Sequence, residues 1–150
     1  MINEDLGYVH RYSDFKWIKK TISLLKKISH KNIYIFIVTN QSGIGRKIYT
    51  KYDFFKLQKK IKKFLFKKKI YINDVYYCPH HPTQGKGIFK KNCKCRKPNN
   101  LMILNAIKKW NINLKKSLMI GDKLSDELCA KKSKLKFFYM DKHLSHKDRK

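Results

Sequence analysis

One loop in the middle of the chain carries metal-binding side chains in two closely spaced pairs. The pairs are Cys78 with His80 and Cys93 with Cys95, and each has a single residue between its members. Thiolates and imidazoles are the ligands of closed, four-coordinate zinc sites. The loop from about 78 to 98 has no apolar periodicity and needs another source of order, which a bound metal supplies. The sequence therefore predicts a structural zinc site formed by these four residues, with His81 as the alternative to His80.

The cysteines also indicate the cellular compartment. A disulfide framework would not interleave histidine with cysteine, and the fourth cysteine, Cys129, lies far from the cluster. Metal-binding thiols are typical of a reducing compartment. The segment Met1–Leu6 is acidic and lacks the apolar region of a secretory signal. No run of about 18 apolar residues is present. We therefore expect a cytoplasmic protein without a membrane partner.

The formal net charge of +27 raises the hypothesis of a nucleic-acid-binding protein. Only four of the 37 basic residues are arginines, however: Arg11, Arg46, Arg96 and Arg149. Base and phosphate recognition relies on the bidentate arginine fork. Because the lysines are spread over every segment, we interpret them as solvated surface and expect no specific nucleic-acid partner. A basic, zinc-stabilised nucleic-acid-binding protein stays open as an alternative.

Alternating helix-like and strand-like patterns predict an α/β fold with a Rossmann-like open parallel sheet, in one domain over residues 1–150. Helical spacing of apolar residues predicts a helix over Trp17–Ser29, and the β-branched run Asn32–Val38 predicts a buried parallel strand. Thr50 and Asp53 resemble a capping box that opens the next helix. The later predicted strands are Asp74–Tyr77, Ser117–Ile120 and Lys136–Met140, and the later predicted helices are Leu101–Trp110 and Ser125–Lys132. The core candidates in the first of these two helices are Ile103, Leu104 and Ile107.

Polar motifs follow two of the predicted strands. The segment Thr39–Gly43 supplies hydroxyl and N–H groups suited to phosphate oxygens. Asp122 and Asp126 lie four residues apart, and their carboxylates can hold Mg²⁺. Ligands of open α/β sheets bind beyond the carboxyl ends of the strands, so both motifs are expected at one crevice. Arg96 and Lys97 follow the last zinc ligand directly and are well placed to neutralise a phosphoryl group. The sequence thus predicts a phosphatase.

The motifs V-T-N-Q-S-G, Y-Y-C-P-H-H-P, C-x-C-R-K-P and G-D-K-x-x-D, in this order, resemble those of the haloacid dehalogenase superfamily of phosphatases. More narrowly, they are similar to the D-glycero-D-manno-heptose 1,7-bisphosphate 7-phosphatases, which carry the zinc loop. The resemblance covers Ile2 to Tyr139. Histidinol-phosphate phosphatases and other sugar phosphatases are the alternative; the histidinol-phosphate enzymes share the zinc loop but differ in the Gly-Tyr-Val-His stretch.

The resemblance implies removal of the 7-phosphate of a small sugar bisphosphate through a phosphoaspartyl intermediate, with Mg²⁺ and Zn²⁺ as cofactors; we expect a monomer. It implies that Thr39, Arg96 and Lys97 are catalytic and that Thr39 binds the transferring phosphoryl group. Asp122 would ligate Mg²⁺, with Lys123 and Asp126 beside it. The substrate-binding residues that it implies are Asp5, Leu6, Gly7, Tyr8, Thr39, Asn40, Gln41, Ser42, Arg96, Lys97 and Lys123.

The chain departs from the family at its first motif. The family opens with a strand ending in D-x-D-G-T, whose first Asp attacks phosphorus and whose second acts as acid and base. This chain contains no Asp-x-Asp, and Met1 stands at the position of the Thr. Covalent transfer needs that nucleophile, and the first central strand is absent with it. We therefore expect an N-terminally truncated, inactive domain. Three explanations stay open: a misassigned start codon, an eroded gene that leaves a non-catalytic zinc-binding remnant, and a strand donated by a separate polypeptide.

Overall fold

The computed structural model describes residues 2–29 and 33–140. The alternation of helices and strands confirms the predicted α/β class. No helix in these two ranges is long and apolar enough to cross a membrane. The elements in chain order are α1 (Lys19–Ser29), β1 (Phe36–Asn40), α2 (Ser42–Gly45), α3 (Lys51–Lys67), β2 (Asp74–Cys78), α4 (Leu101–Trp110), β3 (Leu118–Gly121), α5 (Leu124–Lys132) and β4 (Lys136–Tyr139), with 3-10 turns at Tyr12–Asp14, Gly87–Phe89 and Leu114–Lys116.

The four strands form two parallel pairs. In the β1–β2 half-sheet, the pairing runs from Phe36 opposite Asp74 to Asn40 opposite Cys78. In the β3–β4 half-sheet, it runs from Leu118 opposite Lys136 to Gly121 opposite Tyr139. No ladder joins β1 to β3 within the described part of the chain. Among the described residues, the predicted parallel sheet is therefore divided into two half-sheets.

Strand β1 is shifted along the chain from its predicted position. The prediction covered Asn32–Val38, of which Asn32 lies outside the described residues, and residues 33–35 precede the strand. The strand instead continues through Thr39 and Asn40, because these residues stay in register with Tyr77 and Cys78 of β2. Thr39 and Asn40 therefore belong to the strand and not to the loop that follows it. Met1 and the tail from residue 141 also lie outside the described residues.

Helix α3 begins at the predicted cap. The Thr50 hydroxyl accepts a hydrogen bond from the Asp53 N–H (3.1 Å), and the Asp53 carboxylate accepts one from the Thr50 N–H (2.9 Å). This reciprocal pair is a capping box, which satisfies two N–H groups at the start of the helix. The stripe of apolar side chains behind it is buried and packs on the β1–β2 half-sheet and on α1; its most buried members are Phe54, Leu57, Ile61 and Leu65.

Helix α4 lies across both half-sheets. Ile103 near its start packs in a buried cluster with Met119 of β3, and Val38 of β1 packs against the same cluster. Trp110 at its end contacts the Phe36 ring of β1, with the ring centroids 5.6 Å apart. One helix therefore supplies apolar contacts to β1 and to β3.

One core prediction in α4 is wrong. Leu104 is 47% exposed, whereas Met102 and Ala106 are buried with Ile103. The side chains at 102, 103 and 106 share one face of a helix with 3.6 residues per turn, and position 104 lies on the opposite side. Ile107, also a predicted core residue, is partly buried against the Ile103 cluster.

Candidate active site

The thiols and imidazole predicted to bind zinc come together at the end of β2. The Sγ atoms of Cys78, Cys93 and Cys95 are 2.9 to 3.4 Å apart. The Nδ1 atom of His80 lies 3.6 Å from the Cys78 sulfur and 3.3 Å from the Cys95 sulfur. All four donor atoms lie within 4.8 Å of one another. Donors about 2.3 Å from a tetrahedral zinc are about 3.7 Å apart, so the donor set fits one zinc ion.

His81, the alternative ligand, has a different environment. Its Nδ1 accepts hydrogen bonds from the N–H groups of Thr83 (3.3 Å) and Gln84 (3.1 Å). These bonds fix the turn that follows β2. In this geometry His80 is the imidazole that faces the thiols. Burial is the largest influence on the Cys78 thiol and raises its pKa, whereas a bound cation would favour the thiolate.

Lys97 places a cation between β1 and α5. Its Nζ donates to the carbonyl oxygen of Val38 (2.9 Å) and forms an ion pair with the Asp126 carboxylate (2.6 Å). The Lys97 and Asp126 side chains are only 10% and 7% exposed. The Asn40 side chain fixes the Lys97 backbone, because it accepts from its N–H (3.0 Å) and donates to its carbonyl (3.2 Å). The ammonium group is thus held at the carboxyl end of β1.

Arg96 connects this cation to the zinc loop. Its guanidinium donates to the His80 carbonyl (3.2 Å), and its backbone N–H donates to the Cys93 sulfur (3.4 Å). The side chain of Arg96 therefore contacts the loop, whereas Lys97, the next residue, reaches the strand ends. The two predicted cations have different surroundings in the structure.

Asp126 organises the end of β3. Its Oδ2 accepts hydrogen bonds from the N–H groups of Asp122 (3.2 Å) and Lys123 (3.3 Å). A Cβ atom on Gly121 would lie 2.5 Å from the Asp126 Cβ, so glycine is required for this close approach. Burial acts to raise the pKa of Asp126, but the charge and hydrogen bond of Lys97 outweigh it and hold the pKa below its usual value.

The Asp122 carboxylate is partly buried beside Asp126. Burial, and then the negative charge of Asp126, raise the pKa of Asp122 above its usual value. None of the ion pairs found among the described residues involves Asp122. A carboxylate oxygen that lies at a strand end, next to a second carboxylate, is suited to a hard divalent cation.

The Thr39 hydroxyl is fixed from the side of α2. It accepts a hydrogen bond from Gln41 Nε2 (2.9 Å), and Gln41 Oε1 in turn accepts one from the Tyr49 hydroxyl. Tyr49 stacks on His10, with ring centroids 5.2 Å apart. Ser42 is the first residue of α2. Sequence reasoning missed Tyr49, and its position just before the α3 cap is the only sequence signal that it carries.

The N-terminal segment lies over the carboxyl end of β3. Asp5 forms an ion pair with Lys123 (2.7 Å), and the hydrogen bond from Lys123 lowers the pKa of Asp5. Arg46 donates to the Tyr8 hydroxyl, and its guanidinium lies over the Tyr8 ring, 5.4 Å from the centroid. Leu6 between these contacts is 51% exposed. The structure therefore brings the predicted sugar-binding segment to the same end of the sheets as Lys97 and Asp122.

Comparison with known proteins gives matches over nearly the whole chain. A family model described as polynucleotide kinase 3 phosphatase matches residues 1–148. A relative from Pasteurella multocida, a D-glycero-beta-D-manno-heptose-1,7-bisphosphate 7-phosphatase, is 39% identical over 135 residues, which are 90% of this chain and 73% of the relative.

Two solved structures share the fold. A HAD-like phosphatase from Mesorhizobium loti superposes with a TM-score of 0.84 at 27% identity, over 89% of this chain. This chain spans 64% of the length of that protein. The D,D-heptose 1,7-bisphosphate phosphatase of B. bronchiseptica, complexed with magnesium and phosphate, superposes with a TM-score of 0.78 at 20% identity, over 91% of this chain and 73% of the other.

Proposed function

Because the chain belongs to the haloacid dehalogenase superfamily and, within it, to the D-glycero-D-manno-heptose 1,7-bisphosphate 7-phosphatase family, we propose that its site is built to remove the 7-phosphate of this sugar bisphosphate. One observation supports the proposal above all: a buried ammonium group, Lys97, lies between the end of β1 and Asp126. A preorganised cation at a strand end stabilises the charge that develops on a transferring phosphoryl group.

The polar residues at the strand ends would each contact a different part of the substrate. The Thr39 hydroxyl would donate to a phosphoryl oxygen, with its orientation set by Gln41. Lys97 would neutralise the charge of the phosphoryl group, and Arg96 would support it from the zinc loop. Asp5 and the residues up to Tyr8 would contact the sugar, beside Lys123.

The covalent step needs a nucleophilic carboxylate, and the sequence contains no Asp-x-Asp. In that step a carboxylate oxygen bonds to phosphorus, the bond from phosphorus to the sugar oxygen breaks, and the sugar oxygen takes a proton. Water then cleaves the acyl phosphate to release inorganic phosphate. Asp5 and Asp126 are already paired with Lys123 and Lys97. We therefore propose that the 150-residue chain binds phosphate without turning the substrate over.

We propose sites for two metals. Cys78, His80, Cys93 and Cys95 would hold Zn²⁺ with all four positions taken by protein, so that this metal orders the loop over 78–98 and does no chemistry. Asp122 would ligate Mg²⁺, with Asp126 fixing the turn around it. When bound, Mg²⁺ would neutralise phosphate oxygens as a Lewis acid.

We propose that the chain is a single HAD-like domain and a cytoplasmic monomer. Its proposed ligand is a small molecule. Three of the four cysteines belong to the proposed zinc site, and metal-binding thiols support a reducing compartment. The excess of lysine over arginine supports a small-molecule substrate over a specific nucleic acid.

The experiment compares two purified proteins, both loaded with zinc and magnesium. One is the 150-residue chain, and the other is the same chain preceded by a strand segment that ends in Asp-x-Asp-Gly. Phosphate release from D-glycero-β-D-manno-heptose 1,7-bisphosphate is followed by ³¹P NMR, which identifies the phosphate lost. We expect no release by the first protein and loss of the 7-phosphate with the second.

Two control variants sharpen the result. In the extended protein, replacing the first Asp of the added motif by Asn, or Lys97 by Met, should abolish release. Release by the 150-residue chain alone would contradict the proposed lack of turnover. A folded, metal-loaded extended protein that leaves the 7-phosphate intact would contradict the substrate assignment, and histidinol phosphate assayed in parallel tests the alternative.

A further inference from the structure

A chain of hydrogen bonds runs from Tyr49 through the Gln41 side chain to the Thr39 hydroxyl. The Tyr49 hydroxyl donates to Gln41 Oε1, and Gln41 Nε2 donates to the Thr39 oxygen (2.9 Å). Thr39 is the last but one residue of β1, so its hydroxyl lies at the end of the strand where Lys97 reaches the Val38 carbonyl. The primary amide of Gln41 therefore connects a buried tyrosine to the proposed phosphate site.

The Gln41 amide can face its two neighbours in two ways, because its oxygen accepts hydrogen bonds and its nitrogen donates them. A half-turn about the last side-chain bond would exchange the two atoms and leave the side chain in the same volume. The Gln41 oxygen would then accept the Thr39 proton, and the nitrogen would face Tyr49. The orientation of the amide therefore decides whether the Thr39 hydroxyl accepts from Gln41 or donates to it.

The hydroxyl proton of Tyr49 selects one of these two orientations. In the described part of the chain, this hydroxyl has the Gln41 amide as its hydrogen-bond partner, and Tyr49 is only 6% exposed. After a half-turn of the amide, the phenol oxygen would accept from the Gln41 nitrogen, but the phenol proton would have no acceptor among the described residues. A buried donor without a partner is costly. The orientation with Gln41 Oε1 toward Tyr49 is therefore favoured, and Gln41 Nε2 is directed to Thr39.

The Tyr49 ring is held in place by close packing. A Cβ atom on Gly43 of α2 would lie 2.1 Å from the Tyr49 Cε1 atom, so the ring lies directly against the α2 backbone. The His10 ring stacks on the Tyr49 ring, with an angle of 10° between the two planes. Tyr49 also belongs to a buried cluster with Phe54 of α3. A ring confined in this way directs its hydroxyl to one point, which is the Gln41 amide.

We propose that Tyr49 is a positioning residue for phosphate binding: it fixes the Gln41 amide so that the Thr39 hydroxyl keeps its proton for a phosphoryl oxygen. One lone pair of the Thr39 oxygen accepts from Gln41 Nε2, so the Thr39 proton points away from Gln41. The inference rests on the phosphate-binding role proposed for Thr39 above, and it gives Tyr49 no contact with the substrate. The role requires a phenol, because phenylalanine fills nearly the same space but offers no proton.

The first experiment observes the Gln41 amide without phosphate, by NMR of the ¹³C,¹⁵N-labelled, zinc-loaded 150-residue chain. Nuclear Overhauser effects from the Gln41 Nε2 protons report which neighbour the nitrogen faces. In wild type we expect strong effects to the Thr39 methyl group and weak ones to the ring at position 49. In Tyr49→Phe the ratio of methyl to ring effects should fall about twofold or more, because the two orientations become similar in energy. Tyr52→Phe changes a tyrosine that is 72% exposed, and as the matched control it should keep the wild-type ratio.

The second experiment measures the affinity of the same proteins for inorganic phosphate by isothermal titration calorimetry. Tyr49→Phe should bind phosphate about fivefold more weakly, which is the effect of one neutral hydrogen bond. Thr39→Val removes the hydroxyl and should weaken binding by about tenfold or more. In the Thr39→Val background, Tyr49→Phe should cause no further loss, because the proton that Tyr49 keeps available is absent. A purely structural effect of Tyr49 would weaken binding by the same factor in both backgrounds.

A second variant breaks the same hydrogen bond without removing the phenol. Gly43→Ala should shift the NMR ratio in the same direction as Tyr49→Phe, because its new Cβ displaces the Tyr49 ring. Melting temperatures of all variants, measured in parallel, show whether each protein is folded.

Two outcomes would overturn the proposal. One is an NMR ratio that stays at the wild-type value in both Tyr49→Phe and Gly43→Ala. The other is a phosphate affinity that Tyr49→Phe leaves unchanged, or lowers equally with and without the Thr39 hydroxyl. A failure of wild type to bind phosphate counts against the proposed function, whereas the NMR measurement needs no phosphate and still decides whether Tyr49 fixes the Gln41 amide.

Discussion

The ion pair between Lys97 and Asp126 allows the most direct test of the site, because both side chains are at most 10% exposed. Replacing Asp126 by Asn removes the negative charge and leaves the Lys97 ammonium buried beside the Val38 carbonyl. Loss of one partner of a buried pair costs about 3–5 kcal/mol in the free energy of unfolding. We expect a loss in this range for Asp126→Asn at pH 7.

A double-mutant cycle separates the ion pair from other effects of the substitution. Lys97→Met together with Asp126→Asn removes both charges, so the double variant should lose less than the sum of the single losses. A coupling free energy of about 1.5 kcal/mol or more is expected for contacting residues in one network. The exposed pair Lys109 and Asp74 is the matched control, and its cycle should give a much smaller coupling.

The pH dependence of the free energy of unfolding is a second test of the Lys97–Asp126 ion pair. The pKa of Asp126 is lower in the folded chain than its usual value, so the stabilisation is fully present above the unfolded pKa and is lost as the pH falls through the folded one. Urea unfolding, followed by the fluorescence of Trp17 and Trp110, should show the difference between wild type and Asp126→Asn shrinking toward pH 3. A coupling near zero, or a difference that does not change with pH, would refute the reasoning.

Three other changes have defined outcomes. Purified without chelators, the chain should contain about one equivalent of zinc, measured by inductively coupled plasma mass spectrometry. The Cys93→Ser variant should lose the zinc and the Cys129→Ser variant should retain it. A metal-free wild type would contradict the zinc site. Gly121→Ala should lower the melting temperature and weaken phosphate binding, because the new Cβ lies 2.5 Å from the Asp126 Cβ; an unchanged melting temperature would show that the turn can adjust. Burial raises the pKa of Tyr49 to about 12, so the neutral tyrosine stabilises the fold below about pH 10. This contribution of about 2–3 kcal/mol to the free energy of unfolding is lost as the pH rises toward 12, and wild type should lose stability relative to Tyr49→Phe across that range. An equal loss of stability in both proteins, measured by urea unfolding, would disprove it.

The sequence predicted those elements whose signals are local. The Thr50 and Asp53 capping box depends on residues three apart, and the helix start that it predicts matches the structure. The alternation of helices and strands likewise needs only periodicity within each segment. The four zinc-cluster side chains lie close together, and the local part of this signal is the single residue between the members of each pair.

Features that depend on tertiary contacts could not be predicted in this way. The end of β1 is set by pairing with Tyr77 and Cys78, which no local pattern reports. The buried face of α4 is set by the half-sheets that it packs against, so apolar spacing alone predicts a buried Leu104, which the structure shows to be exposed. The contact of Tyr49 with Gln41 crosses helix α2 and joins residues that share no motif.

The position of α4 has a consequence for how this molecule unfolds. A two-stranded sheet is marginally stable on its own, and here α4 packs on strands of both halves, whereas α3 packs on the β1–β2 half-sheet. Loosening of Ile103 or Trp110 would therefore deprive β1 and β3 of support at once. Thermal melting should then proceed as a single cooperative event, since detachment of the shared helix removes apolar contacts from both pairs of strands at once.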